Sequence, residues 1–483
     1  MGVRTTWALS LLVCGSLAGC TEEAPEAPGL DAADERNERG RIPLPAPTPE
    51  GGLTIEREGP ADDDASAGPA GESRFMRYPS DVLIAPVNAF VAERWREALV
   101  ASEGQPDVFM KVGASGTVNS NFLRCFAGYG GWELNLDGRD TLNPTIDFFR
   151  GGEAADTTPF DRDTGAAVVG RSAVWATAGD PSPIDSEIAA IDPSSALINY
   201  GINDMQLGST YRSALFAFIE NYQVLLDELE ARGVLPIVTS LTPRGDRADA
   251  ARWVPAFNVA TRAIAEARQL PYLNLYLAMT ELPGMGLVGD GIHGNVAPGG
   301  PCDFTSEALD FHYNRRNLLT LELLDRIKRV GLDEADPPDG DGPRYSGEGT
   351  DDAPWAVDGL PFTHGADTSQ SSTSARDSYP ACDDGQDESG PEYLYELELD
   401  ETTPVRLFVS DRGGVDVDIH VLDGVGTCIA RNDGMIEGTL SAGRYQVVID
   451  TFVSQNNGPR PGAYLFGALR CEAGDEDCAP SLR

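Results

Sequence analysis

The stretch Asp107-Val108-Phe109-Met110-Lys111-Val112-Gly113-Ala114-Ser115-Gly116-Thr117 decides the fold. Its first half is a short apolar run, the pattern of a strand buried on both faces, and its second half is a glycine-flanked turn that carries a hydroxyl. That order puts Ser115 at the carboxyl end of a parallel strand, where open α/β sheets place their sites. Gly113 and Gly116 let the backbone turn tightly and approach a ligand. The motif is not the Gly-x-Ser-x-Gly elbow, because position 117 is Thr. Taken alone, Gly-x-Ser-Gly reads first as a turn.

Working outward, strands and helices alternate. Pro86 opens a helical pattern with Val87, Phe90, Val91, Trp95 and Leu99 at three-to-four spacing. Residues 196–200, 235–240 and 272–275 read as further strands. Between them, Leu215, Ile219, Tyr222, Leu226 and Leu229 form one helical stripe that Gly233 stops, and a second helix covers 253–268. A last helix runs from about 314 to 330. This alternation predicts a parallel sheet covered by helices on both faces. Beyond residue 390 the period changes to two, and 393–399, 405–410, 415–422, 444–452 and 463–469 read as strands of an all-β sandwich.

The segments between these regions are acidic and poor in aromatics. Residues 21–76 read as a disordered stalk and 333–390, with Asp336-Pro337-Pro338-Asp339-Gly340-Asp341-Gly342, as a flexible linker. The expected organisation is therefore an export signal at 1–20, the stalk, an α/β domain at 77–332, the linker, a sandwich at 391–475 and a tail at 476–483. The signal consists of Arg4, the apolar run from Trp7 to Val13, and Leu17-Ala18-Gly19-Cys20. No other stretch has the apolar length needed to cross a bilayer.

A chain of 483 residues exceeds one ordinary core. Its net charge of −41 argues against nucleic acid as a partner, since phosphates would be repelled. Leaving out Cys14 and Cys20, six cysteines remain, an even number that suggests disulfides in an oxidising compartment. Cys125 is expected to pair with Cys302, because each lies shortly after a candidate site block. Cys382, Cys428, Cys471 and Cys478 allow three pairings, of which Cys382 with Cys428 and Cys471 with Cys478 is preferred. No close Cys/His cluster is present, so neither a metal nor a cofactor is expected.

Two further blocks carry candidate groups, one directly after a strand and one late in the domain. In Asn199-Tyr200-Gly201-Ile202-Asn203-Asp204, the Asn203 amide could face the oxygen that turns negative when an ester is attacked, or the segment could be a turn and helix cap. In Asp290-Gly291-Ile292-His293, a base and its orienting carboxylate stand three residues apart, and His293 could take the Ser115 proton while Asp290 holds the imidazole. Four histidines occur in the chain, and His364 and His420 fall outside this domain. His312 has no acidic residue at comparable spacing and reads as structural.

The ordered set Gly113-x-Ser115, Gly201-x-Asn203-Asp204 and Asp290-x-x-His293 resembles the SGNH, or GDSL-like, hydrolase family over about residues 77–332. The resemblance implies a three-layer α/β/α, flavodoxin-like fold and hydrolysis of an acyl ester through an acyl-enzyme. It also implies an oxyanion hole from the Ser115 N–H, a second-block glycine and the Asn203 amide. Gly170 is chosen for that glycine, with Gly179 behind it. Ala114 stands where the family usually has an acidic residue.

Residues 1–20 resemble a bacterial lipoprotein signal, which implies diacylation at Cys20, a membrane tether and a place in the cell envelope. The strands around Asp416-Val417-Asp418-Ile419-His420, 443–450 and 462–465 resemble the bacterial pre-peptidase C-terminal domain, which implies binding to a polymer or surface. Asp416 and Asp418 read first as a solvated strand face and second as a calcium site. Two functions stand side by side: an esterase acting on acylated carbohydrate, lipid or another small ester, and a non-catalytic surface-binding lipoprotein that keeps the fold.

Overall fold

The computed structural model describes residues 75–340, 342–382, 385–455 and 458–482. The signal, Cys20 and nearly all of the proposed stalk lie outside the described residues. No helix among the described residues is long and apolar enough to cross a membrane.

Four parallel strands form the first sheet in the order β1 (Gln105–Gly113), β2 (Pro193–Asn199), β3 (Leu235–Thr239) and β4 (Tyr272–Leu273). An isolated parallel bridge from Ala167 to Gly113 lies outside β1. Counted as the second strand in chain order, that bridge gives the flavodoxin-like order 2-1-3-4-5. The strands are buried on both faces, as their apolar runs require.

Helices Ala89–Ala101, Asn143–Gly151 and His312–Ile327 form one covering layer, and Pro183–Ile191, Tyr211–Glu230 and Ala248–Arg268 the other. The three-layer α/β/α fold is thereby observed. The first helix begins at Ala89 and not at Pro86, because the Asn88 side chain accepts the N–H of Val91 and caps it there.

The second region is a sandwich of two sheets that enclose their own apolar core. One sheet has the order β10-β9-β12-β7-β5 and the other β11-β8-β15-β6. In chain order the strands are β5 (Trp355–Val357), β6 (Phe362–Asp367), β7 (Tyr393–Leu399), β8 (Thr403–Asp411), β9 (Val417–Leu422), β10 (Cys428–Asn432), β11 (Met435–Leu440) and β12 (Gly443–Thr451). A small pair, β13 (Val453–Ser454) and β14 (Gly458–Pro459), precedes β15 (Ala463–Arg470).

The linker reading of 333–390 needs correction, because β5 and β6 fall inside it and pair with β7 and β15. Earlier in the same stretch, the Asp339 carboxylate accepts the N–H of Val87 at 2.7 Å, and the Tyr345 hydroxyl donates to the Thr363 carbonyl at 2.9 Å. The solvated-face reading also fails in part, since Asp418 is 3 % exposed.

The sandwich seats its β6 and β15 on helix Ala248–Arg268. Small residues permit the approach: a Cβ on Gly365 would meet Ala267 at 2.4 Å, and one on Gly467 would meet Val259 at 2.9 Å. The buried Arg406 guanidinium lies 3.6 Å from the Trp253 ring centroid, and its charge is answered by Glu437 and Asp475. The disulfides are Cys125–Cys302, Cys382–Cys428 and Cys471–Cys478, the pairing expected.

Candidate active site

Ser115 begins a single helical turn, Ser115–Val118, directly after β1. The glycine before it is obligatory: a Cβ on Gly113 would meet Thr117 Oγ1 at 2.3 Å and the Asn199 carbonyl oxygen at 2.8 Å. The tight contact keeps the ends of β1 and β2 together and sets Ser115 at their carboxyl edge.

Asp290, Gly291, Ile292 and His293 form a turn beside it. Asp290 Oδ1 accepts the N–H groups of Ile292 and His293, both at 2.9 Å, while Oδ2 lies 2.6 Å from His293 Nδ1. The backbone N–H of His293, then its ring, hold the Asp290 carboxyl down to about 2. Gly291 has φ +71°, and a Cβ there would meet the Asp246 nitrogen at 2.6 Å, so only glycine fits. From this turn, His293 Nε2 reaches Ser115 Oγ at 2.9 Å. Residues 178 positions apart in sequence are thereby placed in hydrogen-bond contact.

Asn203 follows β2 and donates its side-chain amide to the Arg171 carbonyl at 2.9 Å. A second amide hydrogen stays free of that bond. Asp204, next in sequence, is 1 % exposed and accepts the N–H of Ala173 at 2.8 Å and of Gly201 at 2.9 Å. Burial pushes its carboxyl up to about 6 against the pull of those donors. Through Asn203 and Asp204 the loop carrying Gly170 is tied to the loop after β2.

Gly170 (φ +77°) lines one cleft of about 180 Å³ together with Ser115, Asn203 and His293. Gly179 is not among the residues lining that cleft. Ala114 lies in its wall.

Two side chains of the cleft wall were not assigned to a site from the sequence. His312 is 2 % exposed, and burial with the neighbouring Arg316 pushes it down to about 3, so its ring is neutral. Arg316, four residues on, donates to the Gly116 carbonyl at 3.1 Å and to Asn199 Oδ1 at 3.3 Å, with its guanidinium 4.0 Å from the Phe122 centroid. The one signal available was the spacing, which puts both residues on one face of a helix whose lower half is apolar.

Loops are stapled around this edge. Cys125–Cys302 joins the segment after Ser115 to the segment after His293. Asn317 spans the same gap, donating to the carbonyls of Asn121 at 2.8 Å and Pro301 at 3.0 Å.

Comparison with known proteins gives the following likenesses. A GDSL-like lipase from Bacteroides thetaiotaomicron is similar at 14 % identity over 49 % of this chain and 97 % of its own, with a TM-score of 0.29. A catalytic mutant of an acetylxylan esterase from Geobacillus stearothermophilus is similar at 12 % identity over 46 % of this chain and 94 % of its own, with a TM-score of 0.29. The pre-peptidase C-terminal domain of a collagenase from Bacillus anthracis is similar at 11 % identity over 23 % of this chain and 91 % of its own, with a TM-score of 0.16. No curated protein matches the chain. Over residues 113–297, the stretch that holds Ser115, Gly170, Asn203, Asp290 and His293, the chain matches the GDSL-like Lipase/Acylhydrolase family.

Proposed function

We propose that this chain is a serine-dependent carboxylic ester hydrolase with Ser115 as nucleophile, His293 as base and Asp290 as its orienting carboxylate. The observation that carries the reading is the continuous contact from Asp290 Oδ2 through both nitrogens of His293 to Ser115 Oγ, at 2.6 and 2.9 Å.

In the first half-reaction Ser115 Oγ bonds to the ester carbonyl carbon while its proton passes to His293 Nε2. The carbonyl oxygen becomes an oxyanion, for which the Ser115 N–H, the Gly170 N–H and the free hydrogen of the Asn203 amide are the donors proposed. The C–O bond to the alcohol then breaks, and His293 returns the proton to the leaving oxygen. Water repeats the sequence on the acyl-enzyme, with His293 again as base, and releases the acid. Asp290 stays ionised throughout and stabilises the imidazolium.

The substrate class proposed is an acylated carbohydrate, a lipid or another small ester. The chain is further proposed to be held at the cell envelope by a lipid on Cys20, with the sandwich binding a polymer or surface. Turnover of short-chain aryl esters, labelling by a serine-directed phosphonate and loss of both in Ser115→Ala test the reaction. Failure of the folded wild-type protein on both counts refutes it. Incorporation of labelled fatty acid that is lost in Cys20→Ser tests the anchor.

A further inference from the structure

The catalytic cleft holds one permanent charge, the Arg316 guanidinium, and no carboxylate to answer it. Ser115, Gly170, Asn203, His293, His312 and Arg316 all line the cleft, and no Asp or Glu does. Such a wall stands out in a chain with 77 acidic residues against 36 Lys and Arg. The Asp290 carboxylate, behind His293, is engaged by the N–H groups and ring of its own turn.

Four arginines are buried among the described residues: Arg244, Arg262, Arg316 and Arg406. Three of them have an acid beside them. Arg244 meets Asp246 at 2.6 Å, Arg406 meets Glu437 at 2.6 Å and Asp475 at 3.1 Å, and the charge of Glu266 acts on Arg262. Arg316 has none among the described residues. Its terminal nitrogens donate to the Gly116 carbonyl and to Asn199 Oδ1, both neutral, and its face lies over Phe122. Burial lowers the guanidinium to about 10, with only Tyr313 acting against the shift, so the group stays charged at neutral pH while 2 % exposed. A buried charge is stable where an opposite charge meets it.

Two buried polar atoms of the residues in this wall have no hydrogen-bond partner, Arg316 Nε and His312 Nδ1. The His312 ring is fixed against the residue that follows His293, since a Cβ on Gly294 would meet it at 2.3 Å. Burial and Arg316 push the imidazole down to about 3, and in its neutral form it offers one N–H and one acceptor. Both side chains belong to the first five residues of helix His312–Ile327, whose first turn holds no acidic residue. The positive end of that helix therefore adds to the charge at the cleft. Buried polar atoms are nearly always paired, so those left open in a substrate cleft point to a group that the substrate brings.

We propose that Arg316 and His312 select esters that carry a carboxylate close to the scissile carbonyl, with Arg316 as the counter-charge and His312 as a second donor. The inference rests on the esterase reading above and narrows its substrate class. A simple fatty acyl ester has no anion at that place, whereas the half-ester of a dicarboxylic acid or an acylated acidic sugar has one. Of the five N–H groups of Arg316 two are used within the chain, at Gly116 and Asn199, and three remain. Hydrogen bonds from a guanidinium to a carboxylate are charge-assisted, about twice as strong as neutral ones.

The test compares two pairs of aryl esters on the full chain at about 0.15 M salt, which screens the surface charge beyond about 8 Å. One pair sets phenyl hemisuccinate, with its carboxylate on the acyl side, against its methyl ester. The other sets para-acetoxybenzoate, with its carboxylate on the alcohol side, against its methyl ester. In wild type, kcat/KM corrected for uncatalysed breakdown should be at least about tenfold higher for the anion in one pair, the size of a hydrogen bond to a charged group. That pair identifies the side. Arg316→Met should bring the ratio to about one and Arg316→Lys should keep part of it, whereas a merely structural role would slow both members of a pair alike. His312→Phe, which keeps a ring on Gly294, should lower the ratio without abolishing it. Succinate titrated by calorimetry should bind wild type and not Arg316→Met, and this readout needs no turnover. Neutral esters turned over with ratios near one in both pairs overturn the proposal alone, as does a ratio that survives Arg316→Met. Absence of turnover with all four esters overturns the esterase reading, and succinate binding then decides the anion site by itself. Should Arg316→Met not fold, the wild-type ratios and the succinate titration carry the test.

Discussion

Arg316 donates from Nη1 to the carbonyl oxygen of Gly116, the residue that follows Ser115, at 3.1 Å. Its other terminal nitrogen holds Asn199 at the end of β2, so a single buried guanidinium spans the nucleophile's turn and the strand that leads to Asn203. The carbonyl it holds is part of the turn that aims Ser115 Oγ at His293.

Replacing Arg316 by Met should therefore lower kcat more than it raises KM. A shift of the nucleophile of the order of 1 Å costs about 10²-fold, and Arg316→Lys should recover part of the loss by keeping one donor. Steady-state kinetics on an aryl ester, with the unfolding midpoint measured alongside, checks this. Equal loss in the Lys and Met variants would show that the charge and its donors are not what matters.

Asp290→Asn should reduce kcat by about 10³–10⁴-fold with KM little changed, because the amide favours the wrong imidazole tautomer. The wild-type carboxyl is held down to about 2 by the His293 N–H groups. The stability it contributes is present above the unfolded value near 3.8 and is lost as pH falls through about 2. Any acid limb of the rate profile above pH 4 should consequently persist when Asp290 is varied, and a pH series of kcat/KM on both proteins decides the point.

Asp204 has the opposite sign. Burial raises its carboxyl from 3.8 to about 6, so its protonated form suits the fold, and the favourable contribution present below pH 3.8 is lost as pH rises through about 6. Relative to Asp204→Asn, the wild type should lose up to about 3 kcal/mol across that window, at 1.36 kcal/mol per pH unit. The variant also loses one acceptor for the N–H groups of Ala173 and Gly201. Denaturant unfolding of both proteins at pH 4 and pH 7 measures the difference, and a constant gap would refute the assignment.

Substituting Ser for both Cys125 and Cys302 should destabilise the chain by about 2–5 kcal/mol. Activity should fall further than global unfolding explains, because the bridge joins the segments on either side of Ser115 and His293. Turnover well below the unfolding transition, compared with and without reductant, separates the two effects.

Some of this was legible in the chain alone and some was not. The residues from 107 to 117 specify a buried strand followed by a glycine turn, since no amphipathic period competes with that reading. The parallel sheet followed from repeated strand and helix patterns, which are local. Strands β5 and β6 were missed because Trp355–Val357 and Phe362–Asp367 are short and sit among Asp, Gly and Ser. Their stability comes from pairing with β7 and β15, at least 40 residues away in the register.

By itself, the sequence determined the residue types, their order and the strand ends after which Ser115 and Asn203 fall. Those follow from periodicity and turn chemistry within windows of about ten residues. The tertiary structure decided that Arg316 clamps the turn after Ser115 and that Asp418 is buried beside Glu388. Each of those depends on a contact between residues far apart in the chain, whose energy no local pattern records. A glycine at 291 and an arginine at 316 are ordinary in any window of sequence. They acquire their roles only when the sheet brings the loops at its carboxyl edge together.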